Sequence, residues 1–265
     1  MSELKKRILI SIAGVPVILF LICMSGWYFF ALTLLLQTLC LLEFYYLFEN
    51  KNYSPVKYFA VLGSLLMSLF VFIRQPYHFA YILIFFIVLI FAEIFRNKEK
   101  RNPLNPAINI FGFFYVTLPF ILLNELASYY YVNLVFYIIV VIWICDITAF
   151  FGGKYLGKHK LSEISPNKTI EGAVSGLLFS LIASLAVQQL FYNSLNLYDA
   201  VIIGLIIGIT GQAGDLFESM LKRFGGVKDS SSVIPGHGGV LDRFDNLIFS
   251  APVVYVYFNF FKINL

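Results

Sequence analysis

An all-α, polytopic integral membrane fold is predicted by three features of the amino-acid sequence: its composition, the spacing of its apolar runs and the placement of its basic residues. Of 265 residues, 60% are apolar, 18% aromatic and only 13% charged. A soluble core cannot hide that much apolar surface, so the bilayer is expected to be the main solvent. Nine runs are long and apolar enough to cross a hydrocarbon core, which takes roughly 20 residues in a helix. The runs are continuous and not alternating, which favours helices over a barrel.

In chain order the predicted spans are 8–25, 27–48, 56–73, 78–95, 107–124, 132–151, 171–191, 199–217 and 246–262. Lys5, Lys6 and Arg7 before the first run could pass for the start of a secretory signal. A second run follows almost at once with no Ala-x-Ala site between them, so a retained first helix is expected. Cys23, Cys40 and Cys145 sit in apolar runs without paired spacing, which supports neither a disulfide framework nor a zinc site. The many Phe and Tyr residues read mostly as lipid-facing groups and interfacial anchors. The chain is expected to form one polytopic membrane domain, with helices that carry no motif over 1–131 and catalytic helices over 132–265.

Basic residues resist translocation and collect on the cytoplasmic side. With nine crossings, Lys5, Lys6, Arg7, Lys51, Lys57, Arg96, Lys98, Lys100, Arg101, Lys154, Lys158, Lys160, Lys168, Lys222, Arg223, Lys228 and Arg243 fall on one side. Only Arg74 and Lys262 fall on the other. The amino terminus is therefore expected to be cytoplasmic and the carboxyl terminus outside. Two connections on the cytoplasmic side, Gly152 to Ile170 and Glu218 to Asp245, are long and rich in Gly, Pro, Lys and Asp, where a polytopic protein can place chemistry.

At the end of the eighth run, Asp215, Ser219 and Lys222 are spaced i, i+4, i+7 and share one helix face, with Glu218 beside them. A snorkelling helix end would explain a lone pair of this kind. The next loop brings further polar groups to the same place, and ionisable groups at membrane depth are costly. There Lys228-Asp229 precede Pro235-Gly236-His237-Gly238-Gly239, and Asp242-Arg243-Phe244-Asp245 follow. Gly236, Gly238 and Gly239 allow backbone N–H groups to approach phosphate oxygens. Asp242 and Asp245 can offer oxygen ligands to a hard cation such as magnesium. Taken singly, each part has a bland reading: Asp242 as a helix cap, the glycines as a turn, His237 as a loop residue.

The stretch Ser219-Met220-Leu221-Lys222-Arg223, Lys228-Asp229, Pro235 to Gly239 and Asp242-Arg243-Phe244-Asp245 resembles the signature of the phosphatidate cytidylyltransferases, also called CDP-diacylglycerol synthases. Ser165-Pro166-Asn167-Lys168-Thr169-Ile170-Glu171-Gly172 is similar to a second loop of that family. Asp146 with Ala149-Phe150 and Gly153 resembles a third stretch, with Ile147-Thr148 in place of Thr-Gly. The motifs cover about residues 143 to 246.

The resemblance implies transfer of a cytidylyl group from CTP to phosphatidate at the cytoplasmic face of the plasma membrane. It implies Ser219, Lys222, Arg223, Lys228, Asp229 and His237 as catalytic residues, and Asp146, Lys168, Thr169, Gly236, Gly238, Gly239 and Arg243 as substrate-binding ones. Asp215, Asp242 and Asp245 would hold Mg2+, with room for a second, monovalent cation, K+. The resemblance also suggests a homodimer; no nucleic-acid partner is expected.

Rival motifs fit less well. Gly152 to Lys158 matches most of a P-loop, but His159 stands where Ser or Thr should bind magnesium, and a membrane helix precedes it where a strand should. The Asp-Gly-x-x-Ala-Arg opening of the CDP-alcohol phosphotransferases is missing. An anion or lipid-phosphate transporter would spread its charges near the midplane on broken helices; here the acids cluster at one face. A CTP-dependent enzyme acting on another membrane lipid remains the nearest alternative. Glu43 and Glu93, at the inner ends of the second and fourth runs, read as interfacial or ion-paired acids, a supporting role at the site being the alternative.

Overall fold

The computed structural model of the chain describes residues 14, 16–129, 132–191, 195–234 and 238–261. Its regular structure is helical, and the described residues contain no β-strand, only two isolated bridges. After helical residues 16–24 (α1) come α2 (Gly26–Glu49), α3 (Lys57–Phe72), α4 (His78–Ile94), α5 (Leu104–Gly112), a π-helical stretch at Phe113–Thr117 and α6 (Leu118–Tyr129). Then follow α7 (Val132–Leu156), α8 (Ile170–Phe191), α9 (Leu197–Gly225) and α10 (Leu241–Phe261).

Among the described residues, five helices are long and apolar enough to cross a membrane: Gly26–Glu49, Leu104–Ser128, Leu134–Leu156, Ile170–Phe191 and Leu197–Gly225. The apolar helices α3 and α4 are shorter, at 16 and 17 residues. Of the first predicted run, residues 8–13 and 15 lie outside the described residues. The fifth run is interrupted by the π stretch, where hydrogen bonding slips by one residue inside an otherwise continuous helix.

Several helix ends differ from the expectation, among them the end of α6 at Tyr129 and the start of α10 at Leu241. Helix α9 does not stop at 217 but runs on to Gly225, which carries the helix face of Asp215, Ser219 and Lys222 through its last turns. Helix α7 likewise continues through Gly152 to Leu156. Hydropathy marks where charge begins, whereas a helix ends where its hydrogen-bonded ladder ends, and these points differ by one or two turns here.

The chain divides into two compact units, Met1–Glu125 with Leu221–Arg243, and Leu126–Met220 with Phe244–Leu265. In the first, an aromatic cluster forms the core: the Phe44 ring lies 5.0–5.7 Å from those of Tyr45, Phe48, Phe111 and Tyr115. The end of α9 joins this core through Phe224, whose ring is 5.4 Å from Phe48. Glu93 is buried and accepts hydrogen bonds from Asn102 N and Asn105 Nδ2, both at 2.8 Å, and from Arg96 Nη1 at 3.2 Å. It thereby fixes the basic turn after α4, as an ion-paired acid should.

In the second unit α7 and α8 approach closely through small residues. A Cβ on Gly172 would lie 2.7 Å from the Ala149 carbonyl oxygen, so the backbones can meet only because none is there. The start of α9 is capped reciprocally: Asp199 N donates to Asn196 Oδ1 at 2.9 Å and Asn196 N to Asp199 Oδ2 at 3.2 Å. The Tyr257 hydroxyl donates to the same Asp199 carboxylate, which ties α10 to α9 far from their charged ends.

Candidate active site

The second unit gathers three acids. Asp215 and Glu218, on one turn of α9, and Asp245, on α10, each place a carboxylate oxygen within 4.8 Å of the other two. Glu218 and Asp245 are buried, and Asp215 is half-buried. The helices meet closely at this point, since a Cβ on Gly214 would stand 2.5 Å from the Asp245 carbonyl oxygen. At such separation two ionised carboxylates repel by about 3–4 kcal/mol in an effective dielectric of ~20. The ammonium of Lys168, 2.6 Å from Asp215 Oδ2, offsets part of that repulsion. Hard oxygen donors converging with an excess of negative charge suit a small divalent cation, so the residues present fit magnesium.

Lys168 is delivered by a stapled loop. Residues Lys160 and Thr169 pair as an isolated antiparallel bridge, and Ile170 N donates to His159 O at 2.9 Å. Glu171, in the first turn of α8, accepts from Lys158 N and His159 N at 3.0 and 3.2 Å and pairs with His159 Nδ1 at 2.6 Å. Thr169 Oγ1 accepts from Gly172 N at 3.1 Å, an N-cap geometry that gives this residue a structural task at the head of α8. Asp146 is exposed on α7, and its Oδ1 accepts from the Asn246 amide, which neighbours Asp245.

The first unit holds a second constellation. Lys222 Nζ donates to Asp242 Oδ1 at 2.7 Å, with the two side chains only 13% and 8% exposed. Asp242 Oδ2 accepts from Gly239 N at 2.8 Å and from Ser230 N at 3.1 Å. Asp242 was expected beside Asp215 and Asp245 as a cation ligand. Among the described residues the acids close enough to share an ion are Asp215, Glu218 and Asp245, while Asp242 accepts from Lys222, Gly239 and Ser230 within its own unit. Its place in the first turn of α10 explains this, because a carboxylate there accepts N–H groups that the helix start leaves open.

Gly238 has φ +84°, and its carbonyl accepts from Ile234 N at 3.0 Å. A Cβ on Gly239 would lie inside van der Waals contact of Ser230 Oγ and Glu43 Oε2, so any other residue there would have to displace them. Arg223, Lys228, Asp229 and Arg243 are exposed, and Arg223 Nη1 donates to Val227 O at 3.0 Å. Ser219 is buried. Gly236 and His237 lie outside the described residues. Ser230 and Asn246 are neighbours that sequence reasoning did not select, whereas Glu43 reads from sequence as an interfacial or ion-paired acid with a supporting role as the alternative. Only Glu43 carried a signal, as an ionisable residue inside an apolar run.

Carboxylates carried by apolar helices, each unit pairing one of them with a lysine, fit the class of membrane enzymes that handle phosphorylated substrates. The family model of the cytidylyltransferase family matches residues 5–261, and the chain belongs to that family. It is similar to the phosphatidate cytidylyltransferase of Bacillus subtilis (strain 168), 33% identical over 96% of this chain and 97% of the relative. The phosphatidate cytidylyltransferase of Staphylococcus aureus (strain COL) is 35% identical over 78% of this chain and 82% of its own. That of Staphylococcus saprophyticus is 40% identical over 64% of each.

Proposed function

We propose that the chain transfers the cytidylyl group of CTP to phosphatidate, giving CDP-diacylglycerol and pyrophosphate. The observation that carries this reading is the acidic trio of Asp215, Glu218 and Asp245 with Lys168 paired to it, in a chain that matches its family from end to end. The relatives' shared name, phosphatidate cytidylyltransferase, supports phosphatidate as the acceptor.

A phosphatidate phosphate oxygen forms the new bond to the α-phosphorus of CTP. The bond from that phosphorus to the β-phosphate oxygen breaks, and pyrophosphate leaves with the electron pair. The nucleophile is already an anion, so no general base is needed; the protein must position two polyanions and balance their charge. Asp215, Glu218 and Asp245 would hold Mg2+, which when bound neutralises charge on the phosphates. A second, monovalent cation, K+, belongs to the same reading. Lys168 and Lys222 bind and orient phosphate oxygens, and Asp242 holds the Lys222 ammonium in place. Arg223, Lys228 and Arg243, exposed beside the loop, draw anions in.

The lipid explains the need for a membrane architecture, since the acyl tails stay in the bilayer while the headgroup meets CTP from the water. Nine crossings with a cytoplasmic amino terminus, an external carboxyl terminus and the site at the cytoplasmic face of the plasma membrane form part of this proposal. So does a homodimer. The asymmetry of the basic residues supports the orientation.

A panel of acceptors tests the reading. Purified protein with Mg2+ and CTP is offered phosphatidate, diacylglycerol, a polyprenol or a polyprenyl phosphate in mixed micelles. Product is expected from phosphatidate alone, and a higher rate with any of the others would replace phosphatidate as the acceptor.

A further inference from the structure

We propose that Glu43, on α2, is a positioning residue for the transfer reaction: it anchors Ser230 and Ser231 to Val240 and Leu241 and, through Ser230, fixes the Lys222–Asp242 pair. The inference rests on the function proposed above. Glu43 is 5% exposed and accepts four hydrogen bonds. Oε1 takes Ser231 Oγ at 2.6 Å and Val240 N at 2.9 Å; Oε2 takes Ser230 Oγ and Leu241 N, both at 2.8 Å.

Three consecutive backbone N–H groups at the head of α10 are thus divided between two carboxylates. Gly239 donates to Asp242, and Val240 and Leu241 donate to Glu43. Ser230 links the two acids, because its hydroxyl lies 2.8 Å from Glu43 Oε2 and 3.1 Å from Asp242 Oδ2. One hydroxyl proton serves one acceptor at a time, so the Ser230 N–H bond to Asp242 completes the tie. Asp242 in turn holds Lys222. The order of dependence therefore runs from Glu43 to Ser230, to Asp242, to the Lys222 ammonium.

Capping alone does not explain a buried acid here, since water or a short local side chain caps a helix start without the cost of burying a charge. Glu93 provides the comparison. It is also buried and also holds a turn, but its recorded partners are Asn102, Asn105 and Arg96, none of which belongs to the Lys222–Asp242 constellation.

The test is Glu43→Gln, Ser230→Ala and, as a control, Glu93→Gln, each purified as a monodisperse species and assayed with CTP, phosphatidate and Mg2+ beside the parent protein. Gln keeps the shape of Glu. Whichever way it turns, its NH2 faces the Val240 or Leu241 N–H, donor against donor. We expect Glu43→Gln to lower kcat about 10- to 100-fold, the usual loss when a group that orients an active-site residue is changed. KM for CTP should change little. Ser230→Ala should show a smaller fall in kcat, and Glu93→Gln should lower the melting temperature with kcat per folded molecule retained.

A Glu43→Gln protein with the parent's kcat overturns the proposal, as does one whose only change is a lower melting temperature. If Glu43→Gln does not yield folded protein, Ser230→Ala decides: a lowered kcat at the parent's melting temperature supports the proposal, and an unchanged kcat overturns it. A parent protein that makes no product from CTP and phosphatidate refutes the proposed function instead, and the role given to Glu43 with it.

Discussion

Asp245→Asn is expected to lower kcat by about 10²- to 10³-fold, the scale of losing a group that stabilises charge developing in a transition state. Asn has the shape of Asp, so packing around α10 should survive, and the Gly214 contact, made to the backbone oxygen of residue 245, is unaffected. What changes is charge. Removing one of three gathered carboxylates weakens the hold on a divalent cation and leaves the Lys168–Asp215 pair as the main electrostatic feature. The variant should therefore also need more Mg2+ for half-maximal rate. Steady-state rates against Mg2+ concentration check both effects, and a parent-like profile would remove Asp245 from the cation site.

Gly239→Ala should be about as damaging, for a steric reason. The added methyl would occupy space already filled by Ser230 Oγ and Glu43 Oε2, one on the loop and the other on α2. Neither can yield alone, because Ser230 is held by Asp242 and Glu43 by four donors. Ser230 and Glu43 must shift together, and a displacement near 1 Å at a site proposed to position phosphates costs about 10²-fold in rate. Since the collision is local, the helices should still form. Circular dichroism in detergent should match the parent while turnover falls, and an active Gly239→Ala protein would mean that the loop has slack the geometry does not show.

The middle of each apolar run was legible because roughly 20 continuous apolar residues leave the backbone little choice in a bilayer. Helix ends were less legible. Lys222 and Arg223 look like a loop by hydropathy, yet they sit in the last turn of α9, where cations are favoured by the helix dipole. The π stretch at Phe113–Thr117 has no mark in an aromatic-rich segment.

At the site, Asp215 and Asp245 could be singled out because each is an acid at the end of an apolar run. Glu218 was seen on the same turn, but its grouping with Asp245 depends on how α10 meets α9, which no local pattern encodes. The same holds for Asp242, whose Lys222 partner is 20 residues earlier, and still more for Glu43, whose partners lie 187–198 residues away. Thr169 was read as a substrate contact from the family resemblance of the 165–172 loop; its Oγ1, which accepts from Gly172 N, shows that the same position also starts a helix.

The central claim is cytidylyl transfer to phosphatidate, and the most direct test follows the α-phosphorus of CTP. Purified protein in liposomes containing phosphatidate is given Mg2+ and CTP labelled at that phosphorus. The proposed function requires the label to move into a lipid that yields CMP and phosphatidate on hydrolysis, with one pyrophosphate released for each lipid formed. Label appearing only as free CMP or CDP, or remaining in CTP while phosphatidate is unchanged, would contradict it.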